Sequence, residues 1–203
     1  MCKENGYKRH DGSHYYYHLV DGGQDLLNHG IRDQDTLTGY FLHDAKEDIP
    51  DITTEMIAEK FNPRVAMYMD IVTKNPKLNY RDPKVMEQYL YKILQFLPTS
   101  LIKVADRKHN FSTLEHASPE KELRVANETE LLYLPFLKMA RLHHPEQSAY
   151  FHSAKTEIMP HLKKIKKYHA DINALHKDYM TQLGIQQREI EDLKRQLEKL
   201  KGN

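Results

Sequence analysis

Cysteine is all but missing: Cys2 is the single one among 203 residues, which excludes a disulfide framework and any Cys-rich zinc site and fits a reducing compartment. Glycine and proline are scarce as well, at eight and nine, too few for a turn-dense, β-rich fold. Neither sign of charge is in excess. The 30 Lys and Arg stand against 29 Asp and Glu, a net charge of +1, so no general field draws in nucleic acid and an anionic partner must be held by a local cluster. No apolar run approaches the ~20 residues of a membrane span, and the polar start MCKENGYKRH is expected to carry no signal peptide. At 39% hydrophobic and 29% charged, the chain is polar yet short of a disordered composition. What remains is a mostly helical, soluble and cytoplasmic domain of ordinary size, with room for a small appendage.

Helical periodicity carries most of what is present. Asp11-Gly12 suits a tight turn. Gly22-Gly23 weakens a helix starting near His18, and Gly30 suits the C-cap of the segment carrying Leu26 and Leu27. Asp35 suits an N-cap ahead of Leu37, Tyr40 and Phe41, spaced i, i+3, i+4. Thr53 or Thr54 caps a helix with Met56, Ile57 and Phe61; Asn62-Pro63 interrupts it, and Val65, Met69 and Val72 continue. Pro83 opens a helix burying Val85, Tyr89, Leu90, Ile93, Leu94 and Leu97, and Pro98 closes it. Leu101 to Leu114 reads as another helix. Residues 119–144 and 146–180 are helical too, with Pro135 and Pro160 expected to kink or break them. Farther on, Leu183, Ile190, Leu193, Leu197 and Leu200 fall on heptad core positions, with polar Gln186 on the remaining one and Gly184 inside the run. That is a short coiled coil able to join two chains as a homodimer. The expected organisation is an all-α domain over 1–180 and a C-terminal helix over 181–203.

The chemistry concentrates in His43-Asp44-Ala45-Lys46-Glu47-Asp48. Four ligand-type side chains fall within six residues, and on a helix of about 100° per residue they share one arc of roughly 140°. Leu37, Tyr40 and Phe41 fall inside that arc, so the apolar stripe runs into the carboxylates instead of opposing them. Carboxylates that face a core must be paired or bound to metal, because an isolated buried charge is too unfavourable. Asp106 repeats the pattern, sharing a face with Leu101, Ile102 and Ala105, with His109 on that face and Asn110 at its border. Two readings stay open for it: an ion pair with Arg107, Lys103 or another cation, or a metal shared with the His43-Asp44 cluster. His18 closes an aromatic run, Tyr15-Tyr16-Tyr17-His18, and a lone histidine there is ordinarily a satisfied core residue.

Three stretches together resemble the hydrolase domain of RelA/SpoT homologues, within the HD superfamily of metal-dependent phosphohydrolases. They are Arg9-His-Asp-Gly12-Ser-His-Tyr15-Tyr-Tyr-His18, then His43-Asp44-Ala-Lys-Glu47-Asp48, then Lys103-Val-Ala-Asp106-Arg-Lys-His-Asn110-Phe-Ser-Thr113. The family's pattern is Arg-x-x-Gly-x-x-Tyr-x-x-His, His-Asp-x-x-Glu-Asp and Lys-Leu-Ala-Asp-Arg-x-His-Asn. Asn127-Glu128-Thr129 and Tyr133-Leu-Pro135 are similar to the helix that follows, so the resemblance covers roughly residues 7–144. It implies an all-α HD bundle with a mononuclear metal site, followed here by a C-terminal helical tail. The implied metal ligands are His18, His43, Asp44 and Asp106, and the implied ion is Mn²⁺; two imidazoles and two carboxylates suit a mid-sized divalent cation with open sites.

The resemblance further assigns Glu47 and Asp48 to orienting and deprotonating the attacking water, Asn110 and Thr113 to the nucleoside site, and Arg9 to packing on the base. Lys74, Lys77 and Arg124 are candidates for gripping pyrophosphate, chosen for charge and approximate placement. The implied reaction removes the 3′-pyrophosphate of guanosine tetra- and pentaphosphate, leaving GDP or GTP, as in a stand-alone small alarmone hydrolase of the stringent response. Alternatives in the same class are the adenosine analogue, the 2′-phosphate of NADPH or a nucleoside monophosphate. From another class comes a non-catalytic nucleotide-sensing module, against which the Glu47-Asp48 pair argues. The chain departs from the family at Asp11, His14, His10, Leu19 and Gly22-Gly23, changes that touch the base-binding side and leave the metal set whole. The small-molecule nucleotide is thus the expected partner, without nucleic acid or membrane.

Overall fold

The computed structural model describes Lys8 and residues 12–201, and among these the ordered elements are helices, with one isolated β-bridge from Lys8 to His14. Ten α-helices follow in order: α1 Tyr15–Asn28, α2 Gln34–Leu42, α3 Ala45–Asp48, α4 Thr54–Lys60, α5 Pro63–Val72, α6 Pro83–Leu94, α7 Leu97–Ser112, α8 Pro119–Glu128, α9 Leu134–His143 and α10 Ser148–Lys201. An all-α architecture is what the scarcity of turn formers implies. Among the described residues, those up to Leu162 form one compact unit and those from Lys163 onward a second.

Helix α7 is the axis of the first unit. It packs against α1, α2, α5 and α6 and buries Leu101, Ile102, Val104, Ala105 and Phe111 along with the polar Asp106 and Arg107. Helix α9 covers α6. The first turns of α10 bury Tyr150, Phe151, Ala154 and Ile158, where Tyr150 stacks edge-on against His29 at 5.0 Å.

Several helix ends follow from capping chemistry. Helix α1 stops in a Schellman motif: Ile31 N–H donates to Leu26 O at 3.1 Å and Gly30 N–H to Leu27 O at 3.0 Å, with Gly30 at φ +80°. Thr53, Asn62 and Asp82 cap α4, α5 and α6 by accepting from backbone amides, and Pro63 and Pro83 take first-turn positions. The cap of α2 is Asp33, whose carboxylate accepts from Thr36 N–H at 2.9 Å, in place of Asp35. Asp35 lies in the first turn and accepts from Asn62 Nδ2 at 2.8 Å. Of the expected Asp11-Gly12 turn, Asp11 lies outside the described residues, while Gly12 has φ +82°.

One proline acts differently from expectation. Pro98 opens α7 in its first turn instead of closing α6, because the missing N–H there has no intrahelical partner to lose. Pro160 sits inside α10, which runs on through it and through Gly184 as one helix. Pro135 occupies the first turn of α9, after a π-helical turn at Thr129–Tyr133.

Gly22 and Gly23 also overturn their local propensity. Helix α1 passes straight through them because α2 presses too close for a side chain: a Cβ on Gly22 would stand 1.7 Å from the Tyr40 hydroxyl, and one on Gly23 2.7 Å from the Phe41 ring. Gly22→Ala therefore forces Tyr40 to move and lowers unfolding stability by about 1–3 kcal/mol, the usual range for overpacking. Gly184→Ala meets open space and instead stabilises its helix by about 0.5–1 kcal/mol. Thermal unfolding of the two variants beside the parent chain checks the opposite signs.

Candidate functional site

Three separate stretches bring their polar side chains into the first unit's core. His18 lies at the end of the first turn of α1, His43 and Asp44 fill the junction between α2 and α3, and Asp106 sits mid-way along α7. His18, His43 and Asp106 are buried and Asp44 is half-buried. One ligand atom each from His18, His43 and Asp44 lies within 4.8 Å of the others. Asp106 Oδ1 stands 3.5 Å from His43 Nε2 and 3.7 Å from His18 Nε2, and Asp44 Oδ2 stands 3.1 Å from His43 Nε2. The four side chains named from the sequence therefore do converge on one spot.

Tyr40 holds the backbone at His18 and the ring of His43. Its hydroxyl donates to the His18 carbonyl at 2.9 Å, its own carbonyl accepts from His43 Nδ1 at 2.6 Å, and its ring stacks on His43 at 5.2 Å. A carbonyl can only accept, so the proton of His43 is on Nδ1 and Nε2 presents a bare lone pair. That Nε2 is buried and makes no hydrogen bond of good angle, although carboxylate oxygens face it. Lone pair against carboxylate is repulsive until a cation enters between them. Without a metal ion that cation is a proton: burial pushes the imidazole down, but Asp106 and Asp44 outweigh it and lift His43 to about 10. A set of two imidazoles and two carboxylates with one orphaned nitrogen fits a divalent cation.

Asp106 has partners of its own. Lys103 Nζ donates to Oδ2 at 2.8 Å and Asn110 Nδ2 to Oδ1 at 2.6 Å. Burial would raise its carboxyl, and the charge of Lys103 overcomes that and holds it well below the usual range. The ion-pair reading left open for Asp106 is met by Lys103 on Oδ2, while Oδ1 faces the two imidazoles. Arg107 takes no part in that pair. It lies 3.7 Å over the Tyr133 ring, pairs with Glu128 and reaches Thr129 Oγ1 at 3.4 Å, tying α7 to α8 and the π-helical turn. Tyr15 donates its hydroxyl to Asp44 Oδ2, and burial followed by the Asp44 charge pushes that phenol up.

The acidic pair differs from the wheel drawn for it. The stretch is not one helix: α2 stops at Leu42, and α3 restarts at Ala45 after the His43-Asp44 turn. Only His43 of the four is buried, while Glu47 and Asp48 are exposed, because the break turns them out of the core. Phe41 is likewise 46% exposed. Glu47 Oε1 accepts from the Lys74 backbone N–H at 2.7 Å. Burial, then the charges of Asp44 and Glu47, raise the Asp48 carboxyl above its ordinary value. Glu47 also lines a cavity of about 840 Å³ whose wall includes Lys46, Lys74, Lys92, Tyr80 and Tyr89.

The remaining residues singled out from the sequence are distributed as follows. Asn110 is held on Asp106, and Thr113 is the half-buried C-cap of α7. Lys74 is on the cavity wall; Lys77 is exposed in the loop after it and is not on that wall. Arg124 lies 4.0 Å from Glu128 on its own helix. Arg9 lies outside the described residues. Lys103 is one of the cations the sequence offers for Asp106 and is the one that pairs with it; the organising role of Tyr40 is hidden by its place in an apolar stripe, and its position three residues before His43 is the signal that points to it.

Residues 2–142 match the family described as HD domain. Among relatives, the chain is 33% identical over 144 residues to the bifunctional (p)ppGpp synthase/hydrolase SpoT of Escherichia coli strain K12, covering 68% of this chain and 20% of that protein. It is 35% identical over 136 residues to a guanosine-3′,5′-bis(diphosphate) 3′-pyrophosphohydrolase of Aquifex aeolicus (66% of this chain, 19% of that one). It is 34% identical over 138 residues to a GTP pyrophosphokinase of Myxococcus xanthus (64% and 18%). The chain thus spans about a fifth of the length of the curated relatives it matches. Among the described residues, no helix is long and apolar enough to cross a membrane.

Removing Lys103 isolates the Asp106 charge in the core. Lys103→Met is expected to lower stability by about 3–5 kcal/mol, the range for breaking one side of a buried pair. Denaturant unfolding in a chelating buffer measures it, and a loss below 1 kcal/mol would contradict the ion pair.

Proposed function

Because the chain belongs to the HD-domain family and carries a hydrolase domain of the RelA/SpoT type, we propose that it removes the 3′-pyrophosphate of guanosine tetra- and pentaphosphate, leaving GDP or GTP. The observation that carries this reading is the buried His43 Nε2 lone pair, aimed at the Asp44 and Asp106 carboxylates beside His18. His18, His43, Asp44 and Asp106 are the proposed ligands of one divalent cation, with Mn²⁺ the proposed ion. When bound, such an ion supplies Lewis acidity toward water and phosphoryl oxygen.

The chain's own groups do the rest. Glu47, fixed by the Lys74 amide, orients the attacking water, and Asp48 accepts its proton; a carboxyl raised by burial and by neighbouring negative charge is the better base. Water adds to the phosphorus attached to the ribose 3′ oxygen, that P–O bond breaks, and the ribose oxygen takes up a proton. Lys74, on the wall of the cavity beside Glu47, is the cation best placed for the pyrophosphate, with Lys77 and Arg124 as further candidates. Asn110 holds Asp106 and, with Thr113 and Arg9, is assigned to the nucleoside side. Pairing of two copies through the C-terminal helix is an accessory of this reading and no condition of its chemistry, since the ligands and the acidic pair come from one chain.

Purified protein is expected to release pyrophosphate from guanosine tetraphosphate only with an added divalent cation, Mn²⁺ best, and His43→Ala to abolish release. Asp48→Asn lowers kcat by about 10²-fold or more with KM nearly unchanged, as for loss of a general base. In parallel, Mn²⁺ raises the thermal midpoint of the parent chain and leaves that of Asp106→Ala unmoved. Cleavage of a nucleoside 5′-monophosphate, with guanosine tetraphosphate, its adenosine analogue and NADPH all untouched, overturns the substrate.

A further inference from the structure

Helix α10 carries a longer apolar stripe than its final heptads. Ahead of the run from Leu183 to Leu200 stand Tyr168, Ile172, Leu175 and Tyr179, at steps of four, three and four residues, and a further step of four leads to Leu183. The two consecutive steps of four are a stutter, which locally unwinds a coiled coil without moving the stripe off its face. The stripe is therefore continuous from Tyr168 to Leu200, about 50 Å of helix. Apart from half-buried Leu183 its apolar members are exposed, Leu175 by 68%, Leu193 by 63% and Leu200 by 78%.

We propose that a second copy of this chain covers the stripe, in a parallel, in-register, two-stranded coiled coil over residues 168–200. Three observations select that occupant. Ile172 with Leu175, and Ile190 with Leu193, place isoleucine at a and leucine at d, the combination that favours two parallel strands. Polar Gln186 at a d position matches itself only in register. The flanking charges complement their own copy: in parallel pairing Glu189 at g faces Lys194 at e of the other copy, and Asp171 faces His176. Antiparallel pairing sets e against e and brings Lys194 toward like charge. Sealing the stripe in both copies removes on the order of 1,500 Å² of surface, the size of a standard specific interface. This deepens the pairing stated above and is independent of the hydrolytic chemistry, so its test reads mass and cross-linking with no turnover.

Sedimentation of the full chain at tens of micromolar is expected to give twice the chain mass. Leu193→Glu with Leu197→Glu weakens association at least 100-fold and leaves the thermal transition of the first unit in place. In a Cys2→Ser background, Leu197→Cys chains oxidise to a covalent dimer with themselves; a mixture of Ile172→Cys and Leu197→Cys chains gives self-pairs in preference to mixed ones. A monomer at every concentration, or a dimer indifferent to the two glutamates, overturns the interface. Mixed cross-links in excess overturn its direction.

Discussion

A carboxylate buried in the middle of a helix is the condition on which the arrangement turns. Asp106 lies on the inward side of α7 among Ile102, Ala105 and the imidazoles, where an uncompensated charge is untenable. One oxygen is answered by Lys103 and the other by Asn110 and the two histidines. With Asp44 beside His43, the cluster holds more negative than positive charge, and His43 is driven to keep a proton when nothing else supplies the balance. The helices must then pack so that α1 and the α2–α3 junction reach α7 at this one point.

Much of this was legible because the chemistry is local in sequence. His43-Asp44 and Lys103 to Asn110 place the clustered side chains and their supports within a turn or two of each other, and the capping residues Thr53, Asn62 and Asp82 act on their immediate neighbours. The helical wheel through Asp48 reached the correct spot by a partly mistaken route. It identified His43 as inward, but the helix is interrupted at His43-Asp44 and this decides the facing of Glu47 and Asp48, and a wheel has no means of showing an interruption. Gly22-Gly23 misled for a different reason: propensity counts the helix alone, whereas these positions answer to the neighbouring helix. Tyr15 and the Arg107–Tyr133 stack were invisible because their meaning is tertiary.

The buried and exposed halves of the site have separate physical tasks. His18, His43 and Asp106 are buried, with the His43 ring held by Tyr40 and the Asp106 carboxylate by Lys103 and Asn110. Glu47 and Asp48 stay toward solvent, and Glu47 lines the roomy, lysine-bearing cavity. Half-buried Asp44, held by Tyr15, is the seam between them.

The contact between Gly22 and Tyr40 has a consequence for how such a sequence can drift. Tyr40 cannot back away from residue 22 without releasing the carbonyl of His18 and shifting its own carbonyl under His43, and residue 22 cannot grow while Tyr40 stays. The two positions are therefore locked as a pair: among descendants of this chain a larger side chain at one should be accompanied by a smaller one at the other, so that they covary where either changes at all.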